Sequence, residues 1–458
     1  MNRSTLARLT LPMLATCWMS GCIVQLDGSL DVGDSNDEVG DSSSSDTSDG
    51  TATEPTGASD DTTENSSDSG GDDFGCAQAI DVLFVIDNSG SMGGRQRQVA
   101  DAAASLVNQL DLAGMDWRIA VTTTDNGNPW CTAGTTTPEF GRLVASSCRE
   151  RLGDFLFSDT VDVQAEACTE VCNTEKVELA STVIDGVVRP GTWVERSAGM
   201  ANTYERQGQD LVPLDPIEAL RCMLPQGVNG CGFEAPLDSM QLALERTADP
   251  NEDQFGFLRD DAQLVVIIIS DEVDCSYNPN WAEIFMAEGS KVFWSDPSAS
   301  FPTSAVCWNA GVVCSGEGPN YADCVPADKD IDGNLVSAEA AEGDAVLNPL
   351  SQYSSLLSSL EAAKQAVNPA ATVKVFGLLG LGLDGELHYA DSDDPSYQDS
   401  FGIGPGCSGP GAGEGAIPPV RMRELVGEFD GSLHSVCKSQ YIDAFKTIGN
   451  RVTADCAQ

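Results

Sequence analysis

From residue 76 onward the apolar residues follow two patterns. Residues 80 to 86, Ile-Asp-Val-Leu-Phe-Val-Ile, and 262 to 269, Ala-Gln-Leu-Val-Val-Ile-Ile-Ile, are almost continuously apolar, as strands buried on both faces of a parallel sheet are. Trp117 to Thr123 and 372 to 379 carry weaker strand signals. After the first strand the period becomes helical, with Val99, Ala103, Leu106, Val107 and Leu110 on one side of a helix expected over about 96 to 110. Similar patterns predict helices over 215 to 224, 236 to 247, 350 to 366 and 438 to 452. Strands alternating with helices predict an α/β fold built on a doubly wound, mostly parallel sheet. One domain, 76–458, accommodates all of them if 126–213 and 275–349, where Cys, Gly and Pro concentrate, are long loop insertions.

The first 75 residues read differently. Arg3 and Arg8 precede an apolar stretch from Leu9 to Met19, too short for a bilayer-spanning helix, so 1–21 is expected to be a removed export signal. Met19-Ser20-Gly21-Cys22 resembles a bacterial lipobox, which implies lipidation at Cys22 and anchoring to a membrane through that lipid. Ile23 follows, not the Asp that retains some bacterial lipoproteins at the inner membrane, so the expected location is the outer membrane or cell surface. Residues 22–75 are dominated by Asp, Glu, Ser, Thr and Gly, with 15 acidic residues between Leu26 and Phe74. Such a segment cannot bury enough apolar surface to order itself and extends by self-repulsion. It reads as a spacer that lifts the domain from the membrane.

Charge and cysteine content narrow the possibilities further. Against 71 Asp and Glu stand only 24 Lys and Arg, a net charge of -47, which excludes a phosphate-backbone partner such as nucleic acid. Of 16 cysteines, Cys17 and Cys22 belong to the leader, leaving 14 and thus up to seven disulfides in an exported chain. Cys76 with Cys456 would close the domain, and Cys168 with Cys172 and Cys314 with Cys324 are plausible local bridges. Only His388 and His434 occur, and the cysteine spacings repeat no zinc pattern.

The candidate chemistry begins where the first buried strand ends. Asp87-x-Ser89-x-Ser91 places a carboxylate and two hydroxyls around one point at the carboxyl end of the sheet, where open α/β folds bind ligands. Oxygen donors of this kind suit a hard divalent cation. With the preceding Asp81-Val-Leu-Phe-Val-Ile, the segment resembles the von Willebrand factor A (VWA) family, whose metal-ion-dependent adhesion site (MIDAS) uses Asp-x-Ser-x-Ser. The resemblance implies a Rossmann-like sheet of VWA type over roughly 80–125, 215–272 and 350–450, and Mg2+, or Mn2+ or Ca2+, at the site. It also assigns an aspartate after a later apolar strand, a place filled here by Asp271, with Glu272 and Asp274 adding negative charge. The family's second loop supplies a Thr before a helix, whereas Asn229 to Leu237 contains none and Glu234 stands nearest. Glu234 is either a ligand or simply a glutamate at a helix start, favoured by the dipole. Thr122-Thr123-Thr124-Asp125, on the same rim, is the other source of oxygen ligands.

A second pattern is Asp328-x-Asp330-x-Asp332-Gly333-Asn334, with Glu339 at the twelfth position. This is the spacing of an EF-hand calcium loop. No entering helix precedes it, because Pro319, Cys324 and Pro326 do, so an EF-hand-like Ca2+ loop competes with a solvated acidic turn.

Together these readings predict a lipid-anchored surface protein that is not an enzyme. It would bind a protein or matrix component whose acidic group completes the shell of a divalent cation. A structural module stabilised by metals and disulfides is the alternative. A metal-assisted hydrolase using Glu234 or Glu272 as base is a weaker one, since neither a Gly-x-Ser-x-Gly motif nor a P-loop is present.

Overall fold

The computed structural model describes residues 76–131, 136–157, 161–409 and 415–456. The leader 1–21, Cys22 and the acidic segment 22–75 lie outside the described residues.

The protein is mixed α/β, built on a seven-stranded, mostly parallel sheet. Its strands are β1 (Ala79–Ile86), β2 (Asp116–Thr123), β3 (Val194–Ser197), β4 (Met200–Ala201), β5 (Gln263–Ile269), β6 (Val373–Leu379) and β7 (Leu433–Ser435), in the spatial order β7-β6-β5-β1-β2-β3-β4. The first five of that order run parallel, and β3 and β4 add an antiparallel edge. β1 lies at the centre between β5 and β2, so the chain leaves it in opposite senses on its two sides. This reversal opens a crevice at the carboxyl ends of β1, β2 and β5.

Alternation along the strands produces the layers. Ile80, Val82, Phe84 and Ile86 face one side with Val265, Ile267 and Ile269, covered by α1 (Gly93–Leu112), α2 (Pro216–Met223) and α6 (Ile442–Val452). Phe84 stacks on Phe445 of α6 with ring centroids 5.8 Å apart. Leu83, Val85, Leu264, Val266 and Ile268 face the other side, against α3 (Pro236–Ala248), α4 (Leu350–Val367) and α5 (Val420–Glu428). Every β5 residue is buried, which explains its unbroken apolar run.

The long connections are not bare loops. Residues 124 to 215 hold short hairpins, a three-stranded sheet of Val177–Leu179, Thr203–Gln207 and Asp210–Pro213, and both antiparallel strands of the central sheet. Residues 270 to 349 build a third apolar core around Phe285, Trp308 and Val346.

Seven disulfides join all fourteen cysteines from Cys76 on, consistent with an oxidising environment outside the cytoplasm. Cys76–Cys456 closes the domain and Cys314–Cys324 clasps a hairpin. Cys168 and Cys172 do not pair with each other, contrary to expectation. A short helical turn, Gln164–Thr169, directs Cys168 to Cys148, while Cys172 reaches Cys222 on α2. Among the described residues no helix is long and apolar enough to cross a membrane.

Candidate cation site at the strand ends

β1 delivers Asp87 to the crevice, its own amide donating to Ile269 O at 2.9 Å so that the ends of β1 and β5 stay in register. The chain then turns sharply. Asp87 Oδ1 accepts from the Ser89 amide at 2.7 Å, and Oδ2 accepts from Ser270 Oγ at 2.6 Å. The turn brings Ser89 Oγ within 3.1 Å of Ser91 Oγ, and Ser91 Oγ donates to Asp271 Oδ1 at 3.1 Å. Asp87, Ser89, Ser91 and Asp271 thus meet at one point, although Asp271 lies 180 residues beyond Ser91. Asp87, Ser89 and Asp271 are buried, whereas Ser91 is exposed.

The turn is clamped from below. Gln96 Nε2 donates to Asp87 O at 2.9 Å and to Gly227 O at 2.6 Å, while its Oε1 accepts from the Gln226 and Gly227 amides. Gly230 donates its amide to Asn88 O at 2.8 Å, and a Cβ there would fall 2.4 Å from Asn88 Oδ1. This close approach requires glycine.

Glu234 is fully buried on the loop before α3, two residues ahead of Pro236, which begins that helix. Its Oε2 accepts from Thr124 Oγ1 and its Oε1 has no hydrogen-bond partner. Thr124 therefore reaches the rim from β2 and touches the glutamate that stands where a loop Thr was sought. Thr122 donates instead to Arg142 O, and Asp125 accepts from the Gly127 and Cys231 amides. Disulfide Cys131–Cys231 ties the post-β2 loop to the Glu234 loop.

The carboxylates strain against one another. Burial, and then the Asp271 charge, push Asp87 up to about 7, against the opposing bonds from Ser270 and Ser89. Glu234 is raised well above the usual range by burial, then by Asp87 and Asp125. Glu272 is raised likewise by burial, then by Asp271 and Asp87, with Arg95 opposing. Asp274 Oδ2 accepts from Arg421 Nε at 2.8 Å and its Oδ1 from Ser276 Oγ at 2.6 Å, both within the core.

Arg95 was not among the expected site residues. One turn into α1, its Nη1 forms an ion pair with Asp271 Oδ2 and donates to Ser91 O at 3.0 Å. The only hint in the sequence is its position, four residues after Ser91 and the first basic residue since Arg8.

The donor set fits a hard cation. Carboxylate and hydroxyl oxygens converge, burial and then the Asp271 charge push Asp87 up to about 7, and the nearby loops hold Asn88 Oδ1, Glu234 Oε1 and Glu272 Oε2 buried without hydrogen-bond partners. Asp271 has only Oδ1 to offer, since Oδ2 belongs to Arg95. Among the described residues no three His, Cys, Asp or Glu side chains cluster to hold a metal by themselves, so a cation here would depend on the serine hydroxyls.

The 328–339 loop is arranged otherwise. A strand, Asp323–Pro326, enters it. Asp330 Oδ1 accepts from the amides of Asp332 and Asn334 at 3.0 and 2.8 Å, closing a tight turn at Gly333 with φ of 84°. Asp328 is half-buried near Arg421, and Glu339 interacts with its own amide and the Ser337 hydroxyl at the start of a short helix. Asp330, Asp332 and Asn334 share the turn. His388 pairs with Asp384, and His434 with Ser432.

No protein-family model matches the chain, and no curated protein matches it.

Proposed function

We propose that this is a VWA-like surface module that holds a divalent cation, Mg2+ or alternatively Mn2+ or Ca2+, at Asp87, Ser89, Ser91 and Asp271, and uses it to bind a protein or matrix partner. The observation that carries the reading is the convergence of these four side chains from β1 and β5 at the crevice where the strand order reverses. When bound, the cation supplies a Lewis-acid position that accepts a partner's carboxylate. Asp87 and the serines hold it, Asp271 contributes Oδ1, and the exposure of Ser91 marks the side from which a partner approaches. Glu234, braced by Thr124, supports the far wall. The lipobox at Cys22 and the acidic spacer fit a role at the outer membrane or cell surface, where a tethered module meets partners. Calcium at 328–339 would be a separate, stabilising event.

A structural reading is favoured by one observation: three of the four site residues are buried, and Asp271 already has a counter-ion in Arg95. Melting the oxidised protein with and without Mg2+ tests the cation. A ligand that binds only the native state raises the melting temperature with its concentration, and this rise should vanish in Asp87→Ala and shrink in Ser89→Ala. Equal rises in all three proteins would remove the site from the account. Partner binding that is abolished by a chelator separates an interaction module from a structural one.

A further inference from the structure

The Arg95–Asp271 ion pair places a fixed positive charge inside a site read as a receptor for another cation. Arg95 is only 6% exposed. Its guanidinium contacts Asp271 Oδ2 and donates to Ser91 O at 3.0 Å and to Gly415 O at 3.4 Å. It thus grips the third motif residue, the carboxylate after β5 and the segment beyond Cys407 together. Asp271 Oδ1 still accepts from Ser91 Oγ, so the same carboxylate faces the motif with one oxygen and the guanidinium with the other. A Lys could carry the charge but not the planar fork that spans these acceptors.

We infer that Arg95 is a specificity-determining residue that weakens the site's hold on its divalent cation and strengthens its hold on an anionic ligand group. The inference rests on the cation reading above. Asp87 and Asp271 with a divalent cation are neutral, and Arg95 leaves one net positive charge to attract a carboxylate at the exposed, Ser91 side. Whatever charge Glu234 and Glu272 carry, replacing Arg95 by a neutral residue lowers the sum by one. The replacement should therefore move the two affinities in opposite directions, because like charges repel and unlike charges attract across a site of low dielectric. A residue that merely braces the fold would weaken both.

The test compares wild type, Arg95→Gln and Arg95→Lys, each oxidised and folded by its melting curve. Mn2+ affinity is measured by calorimetry. Entry of a carboxylate is measured by the paramagnetic broadening of the 19F signal of trifluoroacetate in the presence of the Mn2+-loaded protein. Arg95→Gln should bind Mn2+ about tenfold or more tightly while broadening trifluoroacetate less per bound ion, and Arg95→Lys should stay near wild type in both. Should Arg95→Gln fail to fold, Arg95→Lys decides the matter, because a loss of trifluoroacetate broadening there with the charge kept would overturn the charge argument. Mn2+ binding by Arg95→Gln alone would mean that the guanidinium stands in the cation's place, and would overturn both the tuning role of Arg95 and the cation reading for the native protein. Equal or weaker Mn2+ binding in Arg95→Gln than in a wild type that does bind, or undiminished broadening, overturns the role of Arg95 and leaves the cation site intact. Silence from all three proteins overturns the cation reading itself.

Discussion

Replacing Asp87 by Asn should change how the metal-free protein responds to pH. In the native state this carboxyl group is fully buried, bonded to the Ser89 amide and the Ser270 hydroxyl, and close to the Asp271 charge, which together with burial hold it at about 7. In the unfolded chain it titrates near 3.8. Between those values the native state keeps a proton that the unfolded state has lost, so stability falls as pH rises. The penalty is absent below about 4 and complete above about 7. At about 1.4 kcal/mol for each unit of difference it reaches about 4 kcal/mol. Urea unfolding at several pH values between 4 and 8, with chelator present, should show wild type losing about 4 kcal/mol more than Asp87→Asn over that range. Adding Mg2+ at pH 8 should recover much of the loss in wild type and none in the variant. Glu234 and Glu272 tilt both profiles in the same direction, and because the Asp87 charge helps to raise them, the difference reports Asp87 together with its coupling to these two groups. Parallel profiles for the two proteins would refute the idea that burial and the Asp271 charge push Asp87 up to about 7.

Other perturbations have equally definite outcomes. Opening the Cys76–Cys456 bridge by Cys76→Ser with Cys456→Ser frees ends 380 residues apart and should cost about 3 to 5 kcal/mol in denaturant unfolding. Arg421→Met leaves Asp274 buried without its partner and should cost about 3 to 5 kcal/mol by the same measure, most of it restored when Asp274→Asn is added. Gly230→Ala drives a Cβ into Asn88; it should cost about 1 to 3 kcal/mol and weaken Mg2+ binding, measured by calorimetry, far more than Gly232→Ala, where a Cβ meets open space.

The central elements were legible because each carries a long signal. β1, β2, β5 and β6 start and end within a residue or so of the apolar runs, and α1 extends slightly beyond its predicted stretch, through Gly93 and Leu112. What escaped is short or lies at an edge. β7 is only Leu433-His434-Ser435, paired on one side, and has no apolar run to announce it. α5 follows Pro418-Pro419 and mixes Arg421 and Arg423 with its core residues. The hairpin of Thr182–Ile184 with Val187–Arg189 did carry a signal, since Asp185-Gly186 between Val-Ile and Val-Val is a turn sequence that favours hairpins. At the site, Asp-x-Ser-x-Ser is local and could be read directly. The Arg95 ion pair and the Thr124 to Glu234 bond cannot be, because they join residues 176 and 110 positions apart. Disulfide pairing fails to follow from spacing for the same reason, as Cys168 and Cys172 illustrate.

The most direct measurement is anomalous diffraction at the manganese edge from crystals of the oxidised protein grown with Mn2+. A peak bounded by Asp87, Ser89 and Ser91, with Asp271 Oδ1 facing it, is the expected result, and Asp87→Ala crystals should lack it. Clear density for these side chains with no peak between them, or a peak confined to the loop at 328–339, would contradict a cation site at the strand ends.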